Sequence, residues 1–369
     1  MPTNTCGAFR ADGHGASDVV PSSPEMSQVR SRAKKRWPQR ETAVTQSAMV
    51  YMCVGVVATL AVFCLSVWVG AAYTGGDQVY YRRAYAVIDG LSVVDAYAQY
   101  TRTLHSREVV HFLLVWGASG LIEKDVFVAL SNVGLAGAIL AVCWSWKVKW
   151  PVALFFVFAN FYTYVLYFSA ERLKFGVLIF LLALLCVRSL GRLVLLLALS
   201  ILAHAQMALL CAGLMLRALV ASFRRGSKGA RRRVRSLRRI RTAKWASVAA
   251  LLVLLAPAVL LSEHIVVKVQ GYRAEMEGVE IVKIVAFFIL SLVYARRRSD
   301  VVLLFAPLFV AVLLVGGGRV NMLGYMVFLG YGLKINGGVN WGVFLTSLYF
   351  AYGAIGFVSD VLEHGSGFL

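Results

Sequence analysis

Acidic side chains are scarce in this chain. Eighteen Asp and Glu stand against 38 Lys and Arg over 369 residues, a formal net charge of +20. Charged residues of both signs make up only 15%, where soluble domains carry about 25%. That shortage excludes a soluble globular enzyme, and equally a coiled coil or a disordered tail protein, all of which are more polar. Cysteine motifs are missing too. Cys6 lies in a polar leader, whereas Cys53, Cys64, Cys143, Cys186 and Cys211 lie in apolar stretches. No CxxC pair occurs, and the spacing suits neither zinc nor a disulfide framework, so these are small apolar residues. No Walker motif, DxD-like metal clamp or nucleophile elbow is present, and no internal repeat supports a transporter built from symmetric halves.

What the chain has in excess is apolar sequence. Hydrophobic residues make up 59% and the mean hydropathy is +0.72, so most of the chain belongs in lipid. The basic residues are unevenly spread. Arg30, Arg32, Lys34, Lys35, Arg36 and Arg40 form one cluster, and twelve more Lys and Arg fall within 217–244, which has no Asp or Glu. Each cluster adjoins an apolar run. That is the pattern of the positive-inside rule rather than of a nucleic-acid surface, so no nucleic-acid partner is expected. The arginine-rich loop is also suited to anionic headgroups of membrane lipids.

The expected fold is all-α, a polytopic membrane protein with about eleven crossings and a re-entrant or amphipathic external segment. Residues 1–48 form a polar, basic cytoplasmic leader without hydrophobic periodicity. The transmembrane domain covers 49–358, and 359–369 is a short tail. Within that domain, 71–107 forms an external loop rich in tyrosine, 217–244 a basic cytoplasmic loop and 263–280 a second external loop. The first span covers 49–70. Further runs fall at 126–146, 151–168, 172–187, 193–222, 245–262, 281–295, 300–315, 320–333 and 341–358. Placing the strongest basic markers inside requires 193–222 to cross twice with a turn near His204, and 108–122 to be re-entrant. The competing register makes 108–122 a full span and 193–222 a single one.

Ionisable groups at membrane depth are costly, so each calls for a reason. Candidates for proton transfer are Asp77 in the first external loop, Glu108 at the head of EVVHFLL, Glu171 in SAERLKFG and His204 in ILAHAQMALL. Candidates for holding substrate are Arg172, Arg319, Arg273, Tyr81 and Asn321. Arginine grips phosphate oxygens through paired donors, and a carboxylate or histidine serves as base for an attacking hydroxyl. Plainer roles stay open: snorkelling for Arg172, packing for His204, a turn for Asp77, and an interfacial aromatic belt for the tyrosines. Taken together, the set suits metal-independent, cofactor-free group transfer from a lipid diphosphate.

The order of these elements resembles the EpsG-like, more broadly Wzy-like, polysaccharide polymerases of bacterial envelopes. The likeness covers about residues 49–335. It runs through Asp77, Tyr80, Tyr81 and Tyr85, then Glu108, then Ser169–Arg172, then Arg188, Arg192 and His204, then the loop GYRAEM, and ends at Arg319 with Tyr325. Where such proteins carry Arg-Gln at the junction, this chain has Arg172-Leu173. The resemblance implies a multi-pass protein of the bacterial inner membrane. It further implies a glycosyltransferase-type polymerase that joins undecaprenyl-diphosphate-linked oligosaccharide units at the outer face, with a chain-length regulator as partner. A related ligase or glycosyltransferase, or a lipid-linked oligosaccharide flippase, is the alternative.

Overall fold

The computed structural model describes residues 49–187, 189–229 and 278–368, and the packing considered below lies within the compact unit Cys53–Leu369. The expected leader, most of the basic loop, the apolar run 245–262 and most of the second external loop, including Arg273, lie outside the described residues. The fold is all-α, with fourteen α-helices among the described residues. In chain order these are α1 (Met49–Ala72), α2 (Asp77–Ile88), α3 (Val93–Leu104), α4 (Val109–Ser119), α5 (Lys124–Ser145), α6 (Trp150–Phe158) and α7 (Phe161–Tyr164). A π-helical turn, Val165–Ser169, continues α7. Then come α8 (Glu171–Leu185), α9 (Leu190–Ala203), α10 (Met207–Gly229), α11 (Gly278–Tyr294), α12 (Arg298–Val315), α13 (Gly318–Gly332) and α14 (Trp341–His364).

Three stretches are long and apolar enough to cross a bilayer: α1, α5 and Asn336–His364, which contains α14. The pair α6 and α7, bent by 53° at its break, makes a fourth if it counts as one span. The count of eleven crossings is therefore not reached by these helices. At 1.5 Å per residue, the eleven residues of α4 reach about 16 Å, roughly half the hydrocarbon thickness, so α4 cannot cross alone.

Two expected boundaries change. The segment 71–107 is not an open loop but the helices α2 and α3. Gly76, at φ +54°, turns the chain into α2, and Asp77 begins that helix at the end where a negative charge is favoured. Ser92 caps α3 by accepting from the Asp95 amide. Tyr73, Tyr81, Tyr85 and Tyr100 are buried rather than arrayed as an interfacial belt. The last helix also runs past 358 to His364, started by the Asn340 side chain accepting from the Val343 amide and stopped at left-handed Gly365. The turn expected near His204 is present: α9 ends at Ala203 and α10 begins at Met207.

Burial follows the logic of a lipid-facing protein. On α14, Val343, Phe350, Ala354, Phe357 and Val361 form the buried stripe, while Trp341, Phe344, Leu348, Tyr352 and Ile355 face outward. The buried set meanwhile includes Glu108, His111, Lys124, Asn132, Glu171, Lys174, His204 and Asn321. Apolar side chains outside and ionisable ones inside invert the pattern of a soluble core. The interior is assembled from α8 against α9 and α5, α10 against α12, α11 against α13, and α2 against α3.

Candidate functional site

Helix ends bring the polar groups together. Glu108 is the N-cap residue of α4, Glu171 and Arg172 open α8, Lys124 opens α5, and His204 closes α9. Carboxylates at helix starts and a histidine at a helix end match the direction of the peptide dipoles. Arg172 and Lys124 are the exceptions, and Glu108 and Glu171 respectively compensate for them. The chain approaches α8 through the π-turn and Ala170, whose φ/ψ of −96°/59° belong to no regular helix. Such interruptions free backbone groups and re-aim side chains. They set Glu171 and Arg172 inside the protein rather than midway along a continuous helix.

Two centres result. In the buried one, Arg172 Nη1 lies 3.1 Å from Glu108 Oε2, and His204 Nδ1 lies 2.5 Å from Glu108 Oε1. Ser106 Oγ donates to Glu108 Oε2 at 2.9 Å, and Arg172 Nε donates to the Tyr81 hydroxyl at 3.3 Å. The other histidine nitrogen, His204 Nε2, has only a 3.3 Å contact with Gln206 Oε1. A short distance away Glu171 takes different partners. It is bonded to Lys124 Nζ and lies 3.7 Å from His111 Nε2. The ammonium of Lys124 also sits over the rings of Tyr81, Tyr85 and Phe127 at 5.7–5.8 Å. Adjacent in sequence, Glu171 and Arg172 thus serve different neighbours, as consecutive helical residues must. Deeper along α8, Lys174 donates to Asn132 Oδ1 at 2.8 Å, and Asn132 Nδ2 donates to Ser66 Oγ of α1 at 3.0 Å.

The second centre is open. Arg319 Nη2 lies 3.1 Å from Asp77 Oδ2, with side-chain exposures of 31% and 44%. Both residues line a cavity of about 490 Å³ whose wall also includes Ser169, Lys283, Asn321, Tyr162 and Phe368. Gly317 and Gly318, ahead of Arg319, lie against Glu280. The Gly317 amide donates to Glu280 Oε2, and a Cβ at Gly317 would fall 2.2 Å from the Glu280 Cβ. Glycine is required there by close approach. Asn321 is buried; its Nδ2 donates to the Glu280 carbonyl at 3.1 Å, and its Oδ1 has no hydrogen-bond partner.

Of the residues singled out in the sequence, Glu108, Arg172 and His204 meet directly, Asp77 and Arg319 meet directly, and Tyr81 touches Arg172 while lying within electrostatic reach of Asp77 and Arg319. Glu171 belongs to the buried network beside them, and Asn321 belongs to the cavity. Arg273 lies outside the described residues. Sequence reasoning missed Lys124, Lys283, Glu280, Ser366 and Phe368. Lys283 carried a usable signal, a single cation within the apolar run EIVKIVAFF. The tail residues Ser366 and Phe368 carried none, because only the return of the chain against Gly75, whose amide donates to the Gly365 carbonyl at 2.7 Å, brings them to the cavity. No protein-family model, curated protein or solved structure matches this chain.

Proposed function

We propose that this protein transfers glycosyl units between polyprenyl-diphosphate carriers, polymerising oligosaccharide repeat units at the outer face of a bacterial inner membrane. The observation that supports the reading is the buried Glu108–His204 pair held by Arg172, accompanied by a separate open polar cavity lined by Asp77 and Arg319. A buried carboxylate bonded to one histidine nitrogen orients the ring so that the other nitrogen can accept a proton. Here that atom is His204 Nε2. In the proposed step an acceptor hydroxyl attacks the anomeric carbon of the donor sugar. Its proton passes to His204 and the carbon–oxygen bond to the diphosphate breaks. The diphosphate leaves on its lipid with the electron pair.

Arg319 is the arginine suited to meet that diphosphate, because it reaches the cavity. Arg172 is committed to Glu108 and Tyr81. Asp77 holds Arg319 and remains a competing base, and Glu171 supports the site from the Lys124 side. No metal or cofactor enters this scheme. The full count of about eleven crossings and a chain-length regulator as partner belong to the same proposal.

The cleanest test is Arg319→Ala, since the exposed Asp77–Arg319 pair contributes little to folding. Long-chain glycan is expected to vanish from the gel ladder while the protein stays in the membrane. A normal ladder would overturn the assignment. A flippase is the second reading, favoured by the 53° break in the Trp150–Ser169 span, since broken helices commonly line transport paths. Glycan phenotype separates the two. A strain lacking a polymerase accumulates single capped units outside, a strain lacking a flippase retains lipid-linked units inside, and a strain lacking a ligase holds long polymer on its carrier.

A further inference from the structure

Helix α13 begins at the cavity, with Arg319, and ends at a rim of different character. Three connections meet there. The Lys149 amide donates to the Gly337 carbonyl at 2.9 Å, which ties the α5–α6 turn to the α13–α14 turn. Lys334 Nζ lies 4.3 Å from the centre of the Trp146 ring. The Gly342 amide donates to the Tyr294 hydroxyl at 2.8 Å, which holds the end of α11 beside the start of α14. Residues 143–150, 294–300 and 331–342 carry Lys147, Lys149, Arg296, Arg297, Arg298 and Lys334 against a single acid, Asp300. Asp300 is taken by Arg217 of α10 at 2.9 Å, and Arg217 itself lies within electrostatic reach of Lys334. Lys147, Lys149 and Lys334 are exposed, and among the described residues none of the three forms an ion pair.

The rim also lies where spans end. The stretch Lys124–Ser145 stops just before it and Asn336–His364 starts within it. Trp150 and Trp341 are exposed there at 46% and 75%, as suits indoles at a headgroup boundary. Positive charge on one face is all that the positive-inside rule requires. It does not require lysines on two turns locked together by a backbone hydrogen bond, one of them laid over an indole ring. Nor does it require the other two to be fixed by Val148, buried between them. We propose that the turns 146–149 and 333–340 form a docking site for an anionic glycerophospholipid. Lys147, Lys149 and Lys334 meet the phosphodiester of its headgroup, and Trp150 and Trp341 flank its glycerol and upper chains. The charge imbalance selects an anion, ammonium groups suit phosphate oxygens, and the position at the span ends selects an anion anchored in the bilayer. Glycosyl transfer plays no part in the site, which would be filled in a polymerase and in a flippase alike.

The test is photolabelling of the full-length protein in nanodiscs. The probes are phosphatidylglycerol and phosphatidylcholine carrying the same photoreactive group near the glycerol, and peptide mapping reads the labelling of the two turns. Phosphatidylglycerol is expected to label them at least about fivefold more than phosphatidylcholine. Replacing Lys147, Lys149 and Lys334 together by Gln should bring the two lipids level, and replacing the same three by Arg should keep the preference. Arg83→Gln, on α2 at the far end of the bundle, should change nothing at these turns. Equal labelling by the two lipids, or a preference that survives the triple Gln variant, overturns the inference. Loss in the Arg variant as well would point to altered packing rather than lost charge, and overturns it too. Excess glycerol phosphate, which has the charge without the chains, should reduce labelling no more than sodium chloride at equal ionic strength. A larger reduction would make this a site for soluble phosphates, and the lipid assignment would fall.

Discussion

Arg172 and Arg319 both face a carboxylate at 3.1 Å, yet they sit in opposite surroundings. The Arg172–Glu108 pair is nearly closed from solvent, at 11% and 1% exposure, and shares its carboxylate with His204. The Arg319–Asp77 pair is open on a cavity at 31% and 44%. Equal distance does not mean equal consequence. Removing one partner of a buried pair strands a charge where water cannot reach it, whereas removing one partner of an exposed pair leaves a solvated ion. The closed pair is accordingly locked inside the protein, whereas the open pair faces the cavity.

The largest expected effect tests that contrast on stability. Arg172→Met should cost about 3–5 kcal/mol by taking the guanidinium from buried Glu108 and leaving it only His204 and Ser106, and Arg319→Met about 0–1 kcal/mol. Thermal unfolding of both variants in detergent measures the gap; equal losses would mean that the two pairs do not differ as their burial suggests.

Next comes the neighbouring network. Lys124→Met should destabilise strongly through the stranded Glu171, and adding Glu171→Gln should restore part of the loss. A coupling of about 0.5–3 kcal/mol in the double-mutant cycle is expected for residues in contact, and strict additivity would remove Lys124 from the buried centre.

A packing change gives a middle-sized effect for comparison with both pairs. A Cβ at Gly213 would meet the Leu304 backbone of α12 at 3.0 Å, so Gly213→Ala should push α10 from α12 at a cost of about 1–3 kcal/mol. An unchanged unfolding temperature would show that this contact is looser than it is drawn.

The smallest effect is salt dependence. Raising ionic strength from 0.1 to 1 M shortens the screening length from about 10 to 3 Å. Coupling between Asp77 and Arg319 should fall by a few tenths of a kcal/mol, and coupling between Glu108 and Arg172 should hold. Matching salt responses in the two cycles would contradict the difference in exposure.

Much of the fold was legible in the sequence because hydrocarbon imposes a length on apolar runs. The helices α5, α8, α11, α12 and α13 fall within a few residues of their expected runs, and the break at His204 was anticipated by a run too long for one crossing. The helices α2 and α3 were not anticipated, since their apolar faces are narrow and their tyrosines resemble an interfacial belt until burial is seen. Among site residues, the unusual position of Glu108, Arg172 and His204 within apolar surroundings marked them as candidates. Their partners were not marked. Nothing in the local sequence at Lys124 points to Glu171, 47 residues on, and nothing at Asp77 points to Arg319, 242 residues on.

By itself, then, the sequence determined the solvent, the helical class and a short roster of charges that needed a reason, because the cost of polar groups in lipid acts residue by residue. Which charges share a centre and which are closed from water were decided only by tertiary structure. Pairing depends on distances between helix ends far apart in the chain, and no local pattern of side chains encodes them.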